Sequence, residues 1–288
     1  MDKIIKSISA NGHFRAFALD SQQTVTDAQN SQQTLASSSV ALGRTIMVAQ
    51  ILAALEKNDT KITVKVIADG PMSAILAVAD TQGAVKAYVK NPDLDYRKTS
   101  TGEILVGPLI GNGDFIVIKD MGLRTSYTGK VELISAEIAE DLAWYFLKSE
   151  QTPSSVGVNI QLNKDDSIKS ATAFLLQALP GASEEEILQM EEQIKKMPAL
   201  SQLTIDNILP AIYGDIDYKI LESSDLKFHC DCSRERFKEG LKSIGNKELT
   251  AMIEEDHGAE IICQFCQKNY QFDEKDLNQL ILEERNDD

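Results

Sequence analysis

The four cysteines of this 288-residue chain form two tight pairs. Cys230 and Cys232 have the spacing C-x-C, and Cys263 and Cys266 have the spacing C-x-x-C. Two short pairs of thiolates can complete the tetrahedral shell that Zn²⁺ prefers. Sulfurs so close in sequence can also form reversible disulfides, because a thiolate is both a metal ligand and a redox nucleophile.

The residues alone leave open whether such a metal is only structural or belongs to a redox switch. A disulfide between Cys230 and Cys232 would close a small, strained ring, and strained disulfides are easily reduced, which suits a switch. Bound zinc, however, masks the reactivity of its thiolates. His229 and His257 are alternative ligands, although His229 directly precedes Cys230 and adjacent residues rarely share one ion.

The composition restricts the partners that we expect. The net charge is -15 and the isoelectric point is near 4.7, and such a surface repels phosphate backbones, so no nucleic-acid partner is expected. The N-terminus has no apolar run typical of a signal peptide, and the most apolar stretch, 46–55, is shorter than the ~20 residues of a membrane span. We therefore expect a cytoplasmic protein without a membrane partner, in a compartment that keeps thiols reduced.

Residues 1–180 are predicted to form an N-terminal α/β domain. Helices are predicted at 37–56, where apolar residues form a broad stripe, and at 135–150. Strands are predicted at 13–19, 61–68, 73–79, 84–90, 115–119, 129–133, 156–162 and 168–176. The short turns between them favour antiparallel pairing. The predicted fold class is α+β, with a mainly antiparallel sheet flanked by helices.

Residues 181–225 are predicted to form a helical linker. Ser183 and Glu186 form an S-x-x-E capping box ahead of an apolar stripe from Ile187 to Met197, and a second helical piece is predicted at 202–212. The apolar face of this linker is either ordinary core packing or a removable cover. Ordinary packing is the commoner role of such a face, and the residues alone favour it.

Residues 226–288 are predicted to form a small C-terminal zinc-binding domain with helices at 236–241, 247–254 and 276–284. A domain of ~60 residues buries a small core and is marginally stable without a staple. Metal binding would supply folding free energy, so we expect this domain to be folded with its metal and loose without it.

No motif of an enzyme active site is found. The sequence contains no P-loop, no G-x-S-x-G and no H-E-x-x-H, and its three histidines form no evident catalytic set. The pair Cys263 and Cys266 lacks the preceding strand and following helix of a thioredoxin-like site, so a thiol oxidoreductase is a minor alternative. We therefore expect a protein that is not an enzyme and has no ATP-driven cycle.

The chain closely resembles the redox-regulated holdase chaperones, the heat-shock chaperonins of thirty-three kilodaltons, over essentially its whole length. The segments that carry the resemblance are ALGRT at 41–45, DMGL at 120–123, YTGKVEL at 127–133, SEQTP at 149–153, LQALPG at 176–181, FHCDCS at 228–233 and CQFCQ at 263–267. The combination of C-x-C and C-x-x-C is highly specific for this family.

This resemblance implies a holdase that works without ATP and responds to stress. In the reduced, inactive form one Zn²⁺ is held by Cys230, Cys232, Cys263 and Cys266. Oxidation forms the disulfides Cys230–Cys232 and Cys263–Cys266 and releases zinc, after which the C-terminal domain unfolds and the linker loosens. The exposed apolar surface then binds unfolding or oxidatively damaged proteins and prevents their aggregation. The resemblance also implies an active homodimer; the alternative is a constitutive, zinc-stapled protein-interaction module without redox switching.

Overall fold

The computed structural model describes residues 1–95 and 104–287. In chain order the elements are β1 (Lys3–Ser9), β2 (Phe14–Asp20), α1 (Gln22–Gln32), α2 (Ala36–Leu55), β3 (Lys61–Ala68), β4 (Ala74–Asp80), β5 (Ala84–Val89), α3 (Gly107–Ile110), β6 (Gly113–Asp120), β7 (Tyr127–Glu132), α4 (Ala139–Lys148), β8 (Ser154–Leu162), β9 (Ile168–Ala178), α5 (Glu184–Lys196), a 3-10 turn (Leu200–Gln202), α6 (Ile205–Tyr213), β10 (Tyr218–Asp225), β11 (Lys227–Phe228), α7 (Arg234–Lys242), α8 (Asn246–Asp256), β12 (Gly258–Ile262), β13 (Asn269–Asp273) and α9 (Glu274–Asp287). The chain divides into two compact units, Met1–His229 and Cys230–Asp288.

The first unit contains two sheets where the sequence predicted one. The first sheet has the strand order β10-β1-β2-β9-β8, and the second has the order β11-β5-β4-β3-β6-β7. Every pair in both sheets is antiparallel except the short parallel pair of β11 with β5. The predicted α+β class and antiparallel pairing are therefore confirmed. Short turns account for the pairs of consecutive strands, but not for β1–β10, β2–β9 and β3–β6, which join strands distant in sequence.

Helix α2 forms the centre of the first unit. It contacts strands of both sheets, and 18 of its 20 residues are buried. The sequence predicted a helix with one apolar stripe, but a helix between two sheets needs apolar or small residues on all its faces. At 20 residues and a mean hydropathy of 1.5, α2 is long and apolar enough to cross a membrane, yet 89% of its apolar window is buried, which is typical of a core helix.

Helix α4 begins four residues later than predicted because Asp141 organises the preceding loop. Its buried carboxylate accepts hydrogen bonds from the backbone N–H groups of Ile134, Ser135, Ala136 and Ile138 over 2.8–3.3 Å. Ala136 and Ile138 have positive φ angles of 59° and 74°, so this loop depends on external hydrogen bonds to hold its conformation.

We expect Asp141→Ala to lower the free energy of unfolding by about 2–4 kcal/mol, because two buried and two partly buried backbone N–H groups lose their acceptor. Glu140→Gln, at the exposed neighbouring position, is the matched control and should change it by less than about 0.5 kcal/mol. Urea unfolding of both variants measures the difference. Equal midpoints for the two variants would contradict this role of Asp141.

The prediction of a helical linker over 181–225 is correct for α5 and α6, which pack on the first sheet, but wrong for 218–225, which form strand β10 of that sheet. The predicted capping box is confirmed, since the backbone N–H of Glu186 donates to Ser183 Oγ at 3.3 Å and that of Ser183 donates to Glu186 Oε2 at 2.8 Å. Glu186 Oε1 also lies 2.8 Å from His13 Nδ1, which ties the start of α5 to the turn between β1 and β2. The sequence did not predict β10, an exposed edge strand whose residues lack apolar alternation.

We call α5, the 3-10 turn and α6 the linker cover. Its most buried residues, which contact the sheet, are Met190, Ile205, Ile208, Leu209, Ile212 and Tyr213. They lie against side chains of β1, β2 and β9, including Phe14, Phe174 and Leu176. The hydroxyl of Tyr213 is 3.2 Å from Ser7 Oγ, and burial raises the pKa of Tyr213 to about 12. The linker cover therefore buries an apolar cluster separate from the one around α2.

The second unit is small. Helices α7, α8 and α9 surround the β12–β13 hairpin, which confirms the three predicted helices and adds a hairpin that the sequence did not predict. Its core contains six buried hydrophobic residues, namely Leu241, Leu249, Tyr270, Phe272, Leu277 and Leu280. A core of this size supports the expectation that the unit depends on an additional source of stability.

Candidate metal centre

Two local structures position the four cysteines. Cys230 and Cys232 precede α7, whose N-cap residue Ser233 accepts a hydrogen bond on Oγ from the backbone N–H of Arg236 at 3.2 Å. Cys263 and Cys266 lie in the turn between β12 and β13. That turn is closed by hydrogen bonds from Gln267 N to Cys263 O at 2.8 Å and from Cys263 N to Lys268 O at 3.0 Å. A helix cap and a tight hairpin turn therefore fix both sulfur pairs.

The structure brings all four sulfurs together. They lie within 4.8 Å of one another, and the distances between the motifs are 3.7 Å for Cys230–Cys263 and 3.3 Å for Cys232–Cys266. Four sulfurs bound tetrahedrally at about 2.3 Å from Zn²⁺ would be about 3.8 Å apart, so the dimensions fit. Four thiolates are also a donor set that suits zinc and not magnesium or calcium. No other group of three or more potential ligands occurs in the described part of the chain.

His229 and His257, the alternative ligands considered from the sequence, do not belong to this cluster. His257 Nδ1 lies 2.8 Å from Glu274 Oε1. The backbone N–H of His229 donates to Val85 O at 2.8 Å, within the first unit. The candidate centre therefore consists of cysteines alone.

The sulfurs differ in their electrostatic surroundings. Burial raises the pKa of the Cys230 and Cys266 thiols above the ordinary value. Burial also acts on Cys232, but hydrogen bonds from the Tyr270 hydroxyl and the neighbouring thiols outweigh it and hold the pKa of Cys232 below that value. Because like charges this close oppose one another, ionisation of all four thiols requires a compensating cation.

Tyr270 contacts the cluster and Arg234 holds the helix that follows Cys232, and no sequence pattern predicted either role. The Tyr270 hydroxyl lies 3.2 Å from Cys232 Sγ and 3.1 Å from Cys232 O, and the Tyr270 ring packs 4.9 Å from the ring of Phe237. Arg234 Nη2 pairs with Asp276 Oδ2 at 2.6 Å, which ties α7 to α9. No spacing in the sequence signals these contacts, because they join residues 38 and 42 positions apart.

Comparison with known proteins agrees with this arrangement. The Hsp33 protein family matches residues 2–273. The chain is 61% identical over 287 residues to the 33 kDa chaperonin of Lactococcus lactis subsp. cremoris (strain MG1363), covering 98% of this chain and 100% of that one. It is 56% identical over 286 residues to the 33 kDa chaperonin of Streptococcus thermophilus (strain ATCC BAA-250 / LMG 18311), covering 98% and 99%.

A solved structure gives the same result for the fold. The crystal structure of the 33 kDa chaperonin, a heat shock protein 33 homolog, from Thermotoga maritima superposes with a TM-score of 0.92 at 28% identity. The match covers 100% of this chain and 99% of that chain. The relatives carry the name of a chaperone. The chain therefore belongs to the Hsp33 family of chaperonins.

Proposed function

We propose that this protein is a redox-switched holdase that binds unfolding proteins without ATP and prevents their aggregation. The observation that carries the proposal is the cluster of four sulfurs within 4.8 Å in a unit with a small core. The chaperone role follows from membership of the family. The redox switch goes beyond family membership, and this part of the proposal rests on the chemistry of the cysteines.

In the reduced protein Cys230, Cys232, Cys263 and Cys266 would hold one Zn²⁺. The bound ion supplies positive charge that keeps all four sulfurs as thiolates and links α7 to the β12–β13 hairpin. Structural zinc contributes on the order of 10 kcal/mol to folding, which is comparable to the ~5–15 kcal/mol stability of a whole domain. A core of six buried hydrophobic residues is too small to offset the conformational entropy of ordering the second unit, so the metal decides whether this unit folds.

Oxidation removes these ligands. Two thiolates, one hydroperoxide and two protons give one disulfide and either two waters or water and an alcohol, so the sulfurs lose two electrons and the O–O bond breaks. Two such steps consume all four thiolates. The resemblance to the family assigns the disulfides to Cys230–Cys232 and Cys263–Cys266. Peptide mapping of the oxidised chain by mass spectrometry tests this pairing, and a disulfide linking the two motifs would contradict it.

The client surface, in this proposal, lies beneath the linker cover. Cys230 follows the last residue of β10, Asp225, by five positions, so unfolding of the second unit begins next to the strand that ends the linker region. Release of the linker cover would expose the apolar cluster that includes Phe14, Phe174 and Leu176. An apolar patch within a surface of net charge -15 can hold an apolar client while keeping the complex in solution.

Light scattering from a heat-unfolding client tests the proposal. The reduced, zinc-loaded protein should give little protection and the peroxide-treated protein should suppress aggregation. Equal protection by both forms would refute the switch. A metallochromic dye, present while oxidant is added, measures the release of zinc. A constitutive zinc-stapled module would keep its zinc under oxidant, and this result would favour the alternative.

The resemblance to the family also supports a cytoplasmic location and a homodimer in the active form, with no nucleic-acid or membrane partner. The location and the dimer rest on this resemblance, and the expectation of no nucleic-acid partner rests on the acidic composition. Sedimentation of the reduced and oxidised protein tests the dimer. A monomer in both states would contradict it.

The Tyr270 hydroxyl should strengthen metal binding, because it hydrogen-bonds the sulfur of Cys232 at 3.2 Å. We expect Tyr270→Phe to weaken zinc affinity about 10-fold while the ring keeps its contact with Phe237. Competition with a chelator of known affinity measures this change. Tyr218→Phe, in the first unit, is the control, and an unchanged affinity in Tyr270→Phe would contradict the role of the hydroxyl.

A further inference from the structure

A groove of about 430 Å³ lies between α4 and α5 on the first unit. One wall includes Trp144 and Leu147 of α4, and the other includes Ile187, Met190 and Ile194 of α5. Pockets that bind small ligands have volumes of roughly 300–1,000 Å³ and are mostly apolar with a few polar groups. The groove matches this description in both size and lining.

Two carboxylates line this apolar groove, Glu140 of α4 and Glu191 of α5. In the described part of the chain neither has a hydrogen-bond or ion-pair partner, and no Lys, Arg or His lines the groove. Lys195 attracts Glu191 only at longer range, because its Nζ pairs with Glu192 at 2.7 Å. Lys148 lies near the groove with its Nζ 4.5 Å from the centre of the Trp144 ring, which leaves the excess charge negative.

We propose that this groove binds a small amphiphilic organic cation, with an apolar body and an ammonium end. The apolar walls favour removal of the body from water, in proportion to the area buried. The two unpaired carboxylates favour a positive end and disfavour a negative one. Such a ligand would bridge α4 and α5.

Binding should also hold the linker cover closed, a consequence that rests on the function proposed above. Four of the fifteen residues that line the groove, including Glu191, belong to α5, so the ligand binds the closed linker cover more tightly than the released one. A ligand that binds only one state lowers the opening equilibrium by the factor 1 + [L]/Kd, so the upper limit of the effect is about 11-fold at ten times Kd. The groove is therefore a site at which a small molecule opposes activation.

Trp144 lines the groove and is the only tryptophan of the chain, so its fluorescence reports occupancy. Three probes with the same apolar body, 4-phenylbutylammonium, 4-phenylbutan-1-ol and 4-phenylbutyrate, are titrated into the reduced, zinc-loaded full chain. We expect a saturable change of emission with all three. Affinity should be highest for the ammonium compound and lowest for the carboxylate.

Variants separate charge from shape. Removing both carboxylates with Glu140→Gln and Glu191→Gln should weaken binding of the ammonium probe about fivefold and bring the three affinities together. Glu184→Gln, on α5 but not in the groove lining, is the matched control and should retain the preference. Ala143→Leu narrows the groove and should weaken all three probes. Circular dichroism verifies that each variant is folded.

The site is overturned if the ammonium probe binds no more tightly than the alcohol, or if the double variant keeps the preference. Activation by peroxide is then measured with the ammonium probe at ten times its Kd. An unchanged extent of activation despite demonstrated binding overturns the link to the linker cover. Failure of the peroxide-treated protein to protect clients without any probe overturns the proposed function instead, and the fluorescence result stands independently.

Discussion

Substitution of Cys232 by serine should unfold the second unit and leave the first unit intact. The serine hydroxyl is a poor replacement for a thiolate, so the proposed zinc site would lose one of its four ligands. Structural zinc contributes on the order of 10 kcal/mol to folding, and much of that contribution would be lost. The six buried hydrophobic residues of the second unit cannot compensate for that loss. The first unit has its own core around α2 and needs no metal.

Hydrogen exchange across the zinc-treated variant measures this effect. Residues 230–287 should exchange at rates close to those of an unfolded chain, while α2 and the strands of both sheets remain protected. Gln264→Ser is the matched control, because it changes the C-x-x-C turn without removing a sulfur. Full protection of residues 230–287 in Cys232→Ser, or in metal-free wild type, would show that the unit does not depend on its metal.

Cys232→Ser also tests the proposed coupling between unfolding of the second unit and release of the linker cover. If unfolding of the second unit releases the linker cover, Cys232→Ser should suppress client aggregation under reducing conditions, where the wild type does not. If the second unit of Cys232→Ser is unfolded but clients are not protected, unfolding does not by itself release the linker cover. Activation would then require oxidation itself.

The candidate metal centre could be predicted from the sequence because its chemistry depends on residue type and short spacing. Two cysteine pairs with the spacings C-x-C and C-x-x-C carry that information within a few positions, and the structure brings the four sulfurs together. The contact of Tyr270 with Cys232 could not be predicted, since it depends on the register of the β12–β13 hairpin. The capping box of α5 could also be predicted, because Ser183 and Glu186 are only three positions apart and the pattern is local.

The fold was predictable where a pattern is local and not where it depends on distant partners. Strand β3 has the predicted ends, because its alternation and flanking turns are complete within the segment. The composition of α2 shows an apolar helix but not that a second sheet covers its other face. Strand β10 depends on pairing with β1, more than two hundred positions earlier, and its own residues are mostly exposed. Non-local pairing of this kind leaves little trace in a short window of sequence.

Replacing Ile212 with aspartate should produce a chaperone that is active without oxidation. Ile212 is fully buried in α6 against the first sheet. Burying a carboxylate there without a partner costs several kcal/mol, and the linker cover avoids this cost by leaving the sheet. The core around α2 is a separate cluster, so the rest of the first unit should stay folded.

Three measurements on Ile212→Asp define the result. Light scattering under reducing conditions should show protection of clients, zinc analysis should still find one ion per chain, and hydrogen exchange should be fast across residues 184–213 only. Leu188→Asp is the matched control, because Leu188 is 61% exposed on α5 and its replacement buries no charge. If Ile212→Asp releases the linker cover and keeps its zinc but does not protect clients, the surface beneath the linker cover is not the client site. Protection with zinc retained would instead show that the redox centre acts on clients only by controlling this cover.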